Sequence, residues 1–203
     1  IFKVQLRAML RASAQGNIRI MFPMISSLEE LRHAKAILQE ARQELSSEGV
    51  AYNPDLKVGS MIEVPSAAVQ ADQIAEECDF FSLGTNDLIQ YLLAVDRVNE
   101  KIAHLYEPAH PAVIRMIANV SSAAAAHNIP CSICGEMAGD PLYTELLLGL
   151  GVSSFSMASV SIPLIRARIA ALNREDAKHL ARDILQKKTA EEIKTILRSR
   201  LEG

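Results

Sequence analysis

The sequence contains no tryptophan, and aromatic residues make up only 4% of its 203 positions. With so few rings, Ala, Leu and Ile have to fill the interior, as they do where helices pack on a parallel sheet. Cysteine is scarce too: Cys78, Cys131 and Cys134 are an odd number, two of them three positions apart. They make no disulfide framework, and a reducing cytoplasm is the expected setting. Positive charge is not in excess. The net charge is −3 with Lys and Arg spread along the chain, so no nucleic-acid partner is expected. No apolar run approaches the ~20 residues of a membrane span, and membrane insertion is not expected either. The N-terminus lacks the charged-then-apolar pattern of a secretory signal. It opens instead on Ile1-Phe2-Lys3-Val4-Gln5-Leu6, a helical pattern with no capping residue ahead of it, so a piece of a longer polypeptide is expected. The remaining composition, 49% hydrophobic and 22% charged, is that of a globular chain with a sizeable core.

Apolar spacing predicts an alternating pattern. Residues 2–14 read as a helix ending near Gly16-Asn17, and residues 18–24 as a buried strand stopped at Pro23. Ser26 or Ser27 is placed to cap a long helix to about Ser47, with Glu29 and Glu30 in its first turn. Further strands are expected at 57–64, 80–83, 130–133 and 154–157, each followed by a helical pattern, with a long loop over 95–111. Five strands alternating with helices imply right-handed βαβ units and a parallel sheet. Polar residues fall where strands end: Glu63, Asn86-Asp87 and Cys134-Gly135-Glu136. In a (β/α)8 TIM barrel those ends share one face, where catalytic residues gather. In an open doubly wound sheet they would line a crevice.

Glu63 ends an apolar strand, where an unpartnered charge is costly. It either caps the next helix or meets a cation. Thr85, Asn86 and Asp87 bring three oxygen-bearing side chains to one mouth, after a glycine that allows a tight exit. Two carboxylates at neighbouring strand ends suit Mg²⁺, which fills its other positions with water and substrate phosphate. The competing role for Asn86 or Asp87 is a helix N-cap. Arg97, ten residues on, can fork onto phosphate or remain a solvated charge. Cys134 has three readings: half of a redox or zinc pair with Cys131, a buried core thiol, or a proton-passing thiol at the mouth. His104 and His110 lie in the long loop near that mouth.

Taken together these segments resemble a known family. The run Asp79-Phe-Phe-Ser-Leu-Gly-Thr-Asn-Asp-Leu-Ile-Gln-Tyr-Leu-Leu-Ala-Val-Asp-Arg97 is similar to the signature of phosphoenolpyruvate-utilising enzymes, unbroken over its length. Ile20-Met-Phe-Pro-Met-Ile25, Gly59-Ser-Met-Ile-Glu-Val-Pro65 and Cys134-Gly-Glu-Met-Ala-Gly139 resemble further blocks in matching order. The last of these, with the compact spacing, resembles enzyme I of the bacterial sugar phosphotransferase system rather than pyruvate phosphate dikinase or phosphoenolpyruvate synthase.

The resemblance implies a (β/α)8 barrel that binds phosphoenolpyruvate and Mg²⁺. It implies phosphoryl transfer to a histidine on an N-terminal domain, then to a histidine phosphocarrier protein, with pyruvate released; a homodimer is also expected. It makes Glu63 and Asp87 the Mg²⁺ ligands. Asn86, Arg97 and Arg19 become contacts to the anionic ends of the substrate, and Cys134 the acid that protonates the enolate carbon. Residues 1–203 then correspond to about the last five β/α units of the barrel. The earlier strands with two further arginines, and the phosphorylated histidine, have no counterpart here. The alternatives are a ligand-binding or dimerisation module without catalysis, a related phosphoenolpyruvate-utilising enzyme (phosphoenolpyruvate synthase or pyruvate phosphate dikinase), and an unrelated metal-dependent lyase or aldolase barrel.

Overall fold

The computed structural model describes residues 1–202. Helix α1 (Phe2–Ser13) precedes strand β1 (Arg19–Phe22), and the long helix α2 (Leu28–Ser47) follows. Ser27 caps α2, accepting from the Glu30 N–H at 3.2 Å, and Glu30 returns a carboxylate to Ser26. Strand β2 (Lys57–Ile62) leads to two short helices, α3 (Pro65–Val69) and α4 (Ala71–Ala75), where one continuous helix was expected. Gln70, with φ −95° and ψ 20°, breaks the run between them. Strand β3 (Phe81–Gly84) passes directly into α5 (Thr85–Leu93), which ends at Ala94 in the left-handed region with φ 53°. A loop then reaches α6 (Pro111–Ala126), strand β4 (Cys131–Cys134), α7 (Pro141–Gly149) and the two-residue strand β5 (Ser154–Phe155). Helices α8 (Ile162–Ala171), α9 (Arg174–Ile184) and α10 (Ala190–Glu202) complete the described residues.

The five strands are all parallel, and their spatial order is their sequence order, β1-β2-β3-β4-β5. That order separates the two architectures left open above. A doubly wound sheet reverses direction at a switch point, whereas a (β/α) barrel adds each strand beside the last. The chain is an arc of the second kind, with β1 and β5 at its edges.

Alternation along the strands divides the sheet into two faces. Ile20, Phe22, Val58, Ile62, Phe81, Leu83, Cys131 and Ile133 are buried in the apolar core that the helices cover. Met21, Gly59, Met61, Ser82, Gly84, Ser132 and Cys134 belong to the opposite, concave face. Register aligns Met61 with Ser82, Ser82 with Ser132, and Ser132 with Ser154. One row further toward the strand ends, Gly84 is level with Cys134, and Glu63 and Ser156 continue that level on either side. The helices outside are also tied by charge. Lys3 and Arg7 on α1 pair with Glu44 on α2, and buried Glu145 on α7 is held by Arg168 and Arg200.

Candidate active site

Every strand from β2 to β4 delivers one chemically active side chain to the same end of the sheet. Glu63 follows β2 immediately and is buried at 3% exposure, although it carries a carboxylate. Its Oε1 accepts the N–H of Met24 at 2.8 Å, across the mouth of β1. Met24 adopts φ 55°, unusual for a residue with a side chain, and so turns this donor toward Glu63. Gly84 makes room for the other oxygen, because a Cβ there would stand 2.5 Å from Glu63 Oε2. Burial raises the Glu63 pKa above its ordinary value; the Met24 bond opposes this, and the neighbouring Asp87 charge adds to it. Among the described residues, no basic side chain pairs with Glu63 or Asp87.

Asn86 and Asp87 occupy the first turn of α5, whose cap residue is Gly84 with no side-chain cap. The N-cap role is therefore not theirs. Asn86 Oδ1 instead reaches across to accept the Glu136 N–H at 3.0 Å, beyond the end of β4. Thr85 donates from Oγ1 to the Cys134 carbonyl at 2.7 Å, joining the same two strand ends. Gly135 is what allows them to approach. It has φ 100°, and a Cβ there would come 2.5 Å from Thr85 Oγ1 and 2.7 Å from Asn86 Oδ1.

Cys134 closes β4 on the concave face, and its sulfur donates toward the Leu83 carbonyl at 3.4 Å. Ser82 donates to that sulfur at 3.8 Å. Burial raises the thiol pKa, Ser82 opposes the rise, and Glu63 and Asp87 reinforce it, so the group stays protonated at neutral pH. Cys131 points to the other face, buried beneath α6, where Ser121 donates to it at 3.9 Å; burial pushes its pKa up to about 11. A redox or metal pair of Cys131 with Cys134 does not fit this arrangement.

Arg97 lies in the loop after α5, its N–H on Gln90 Oε1 at 3.2 Å and its guanidinium 3.5 Å from the exposed Glu136 carboxylate. Tyr106, from the same loop, donates to the Asn86 carbonyl at 3.4 Å, and burial raises its phenol to about 12. His110 caps α6 by accepting the Ala112 N–H. A cleft of about 670 Å³ opens beside Asn86, Cys134 and Glu136, walled on its far side by Ser156, Met157 and Ser161.

Arg19 is not brought into contact with the other candidate residues. It is the first residue of β1, in register with Lys57 at the start of β2, and its guanidinium stacks over Phe80 at 5.8 Å from the ring centroid. Those groups mark the opposite end of the sheet. Three residues of strand, ~10 Å, separate Arg19 from Phe22, and its guanidinium is engaged with Phe80 rather than with Glu63, Asn86, Asp87 or Cys134. Its position beside the Met-Phe-Pro-Met block in sequence gave no hint of which strand end it occupies. Ser82, Thr85 and Tyr106 were missed in their structural roles; only the period-two alternation along β3 could have flagged Ser82.

Among the described residues, no cluster of three or more His, Cys, Asp or Glu side chains is arranged to hold a metal. A divalent cation here would rest on two protein carboxylates. The residues fit that requirement: one carboxylate is buried in a space that a Cβ would fill, the other is adjacent, and no basic group offsets them.

Known proteins resemble this chain along most of its length. The chain is 51% identical over 193 residues to a protein named phosphoenolpyruvate-protein phosphotransferase from Bacillus sp. (strain S), covering 95% of this chain and 33% of that protein. The protein of the same name from Haemophilus influenzae is 51% identical over 197 residues, covering 97% and 34%. The chain thus spans about a third of the length of the relatives it matches. Among solved structures, a citrate lyase from Burkholderia xenovorans superposes with a TM-score of 0.62 at 18% identity, covering 98% of this chain and 68% of that one. A malate synthase from Haloferax volcanii gives 0.53 at 14%, covering 76% and 45%. At such identities these two speak for the fold alone. The family described as PEP-utilising enzyme, PEP-binding domain, matches residues 1–174, and the chain belongs to it.

Proposed function

We propose that residues 1–203 form the later β/α units of a phosphoenolpyruvate-binding barrel in a cytoplasmic phosphoenolpyruvate-protein phosphotransferase. In this reading the whole enzyme is a homodimer at the head of sugar uptake. It passes the phosphoryl group to a histidine of its N-terminal domain, then to a histidine phosphocarrier protein. The observation that carries the reading is the convergence of Glu63, Asp87 and Cys134 on one strand-end mouth, in a chain about half identical to proteins of that name.

Glu63 and Asp87 would hold Mg²⁺, which when bound neutralises charge on phosphate oxygens. Asn86 and Arg97 receive the anionic ends of the substrate. The Arg97–Glu136 contact is long and exposed, so an incoming anion displaces little in taking the guanidinium. Phosphoryl departure leaves the enolate of pyruvate, whose methylene carbon needs a proton. Cys134, kept protonated by burial, supplies it: the S–H bond breaks as the C–H bond forms.

Titration calorimetry with phosphoenolpyruvate, with and without Mg²⁺, tests the reading in the intact enzyme. Binding should require Mg²⁺, and Glu63→Gln should remove the requirement together with the binding. Equal affinity in both conditions would sink it.

A further inference from the structure

The mechanism above leaves unused a buried hydroxyl that faces the Cys134 thiol. Ser82 sits in the middle of β3, 6% exposed, on the concave face. Its hydroxyl has one hydrogen-bond partner among the described residues, the Cys134 sulfur at 3.8 Å. Its register neighbour behaves differently: Ser132 donates to the Phe81 carbonyl at 3.0 Å, a strand-to-strand bond that any small hydroxyl can make. Ser82 thus stands apart as the hydroxyl of this row that points up the strands at the thiol.

We propose that Ser82 is a positioning residue for Cys134, fixing the direction of its S–H bond and stabilising the thiolate it becomes. The inference rests on the reading of Cys134 as the acid. At rest the sulfur is held from two sides: it donates to the Leu83 carbonyl and accepts from Ser82. A thiol rotates freely about its Cβ–Sγ bond unless both lone pair and proton are engaged. With Ser82 on the lone pair, the proton sweeps an arc limited to the Leu83 carbonyl and the mouth above it. When the proton passes to the methylene carbon, the sulfur keeps the electron pair, and the Ser82 O–H already points at the charge that develops. Preorganised donors of this kind act on the transition state more than on bound substrate. Serine also fits the space: it is small enough for the inner face, and Ser82→Ala removes one oxygen while leaving no cavity of consequence.

The reverse reaction isolates this step, since exchange of pyruvate methyl hydrogens with solvent needs proton transfer at that carbon and no phosphoryl transfer. In the intact phosphotransferase with Mg²⁺, deuterium uptake into pyruvate is followed by NMR for wild type, Ser82→Ala, Ser82→Thr and Cys134→Ala. Ser82→Ala should exchange roughly tenfold more slowly, the worth of one hydrogen bond to a charged group. Pyruvate affinity and melting temperature should be unchanged, and Ser82→Thr, which keeps the hydroxyl, should recover most of the rate. Wild-type exchange in Ser82→Ala beside a crippled Cys134→Ala overturns the proposal and spares the acid. A slow Ser82→Ala with equally weakened pyruvate binding or a lowered melting temperature also overturns it, because that is the mark of a structural role. Wild-type exchange in Cys134→Ala removes the acid itself, and the proposal with it.

Discussion

The two ends of the sheet treat charge in opposite ways. Where the strands begin, Arg19 lies over Phe80, and Lys57 pairs with Asp79, which also accepts the Val58 N–H. Lys57 with Asp79 ties β2 to the approach to β3, and Arg19 reaches past β2 to Phe80. Where the strands finish, Glu63 and Asp87 stand together with no basic side chain paired to them among the described residues, beside a thiol that their charges help keep protonated. The starting end uses its ionic groups to hold the arc together. The finishing end keeps like charges in proximity, an arrangement that is unfavourable until something positive arrives.

The largest expected effect comes from removing that repulsion. Glu63→Gln and Asp87→Asn should each weaken Mg²⁺-dependent binding of phosphoenolpyruvate by more than about a hundredfold, since even groups that only orient metal ligands cost 10–100-fold. The same Glu63→Gln change should raise the metal-free melting temperature near pH 7 by about 2–4 °C, the shift for ~1 kcal/mol in a domain of this size. The sign follows from linkage. With its folded pKa raised, Glu63 contributes stability fully present below its ordinary 4.5 and lost as pH rises through the folded value. Melting followed from pH 4 to 7 should therefore fall in wild type and stay flatter in the variant. A variant less stable than wild type at pH 7 would erase the contrast between the two ends.

Next in size is the thiol. Cys134→Ala should slow pyruvate formation by about 10²–10⁴-fold, the usual worth of a positioned acid, with little change in KM. Cys131→Ala, on the far face of the same strand, should leave kcat near wild type. Matching defects in the two variants would mean that the faces of β4 are not functionally distinct.

Smaller again is Gly135→Ala, which forces a side chain to φ 100° against Thr85 and Asn86. A loss of roughly 1–3 kcal/mol in denaturant unfolding is expected. The smallest effect belongs to the starting end: Arg19→Ala should cost no more than ~1 kcal/mol and leave phosphoenolpyruvate affinity unchanged. Lost affinity in Arg19→Ala would bring both ends into the site and break the comparison outright.

Much of this layout was legible from residues alone, and the exceptions share a cause. The strands, the Ser27 cap and the strand-end cluster of Glu63, Asn86, Asp87 and Cys134 come from local signals: alternation, capping chemistry, and polar residues after apolar runs. The contact of Arg19 with Phe80 was not legible, because local sequence shows that an arginine adjoins a strand, but not that it opens the strand rather than closing it. The break at Gln70 failed because Ala-rich sequence favours helix on both sides of it, and packing against α6 decides the path. The cross-link made by Asn86 was not foreseeable, since its partner Glu136 lies 50 positions away. Ser82 was passed over because serine on the inner face of a strand is unremarkable until its neighbour is known to be a thiol.

The ion pair between Lys194 on α10 and Glu107 bears on the order in which the molecule is assembled. The strands join in sequence order, each to the one before it, so the arc can grow by closing short segments one after another. The loop that carries Arg97 and Tyr106 obeys a different clock. Glu107 takes its partner from 87 positions downstream, at 2.8 Å, so that anchor requires α10, which packs on α7, to be in place. The scaffold of the mouth rests on contacts between neighbouring segments, and its rim on a contact from far along the sequence.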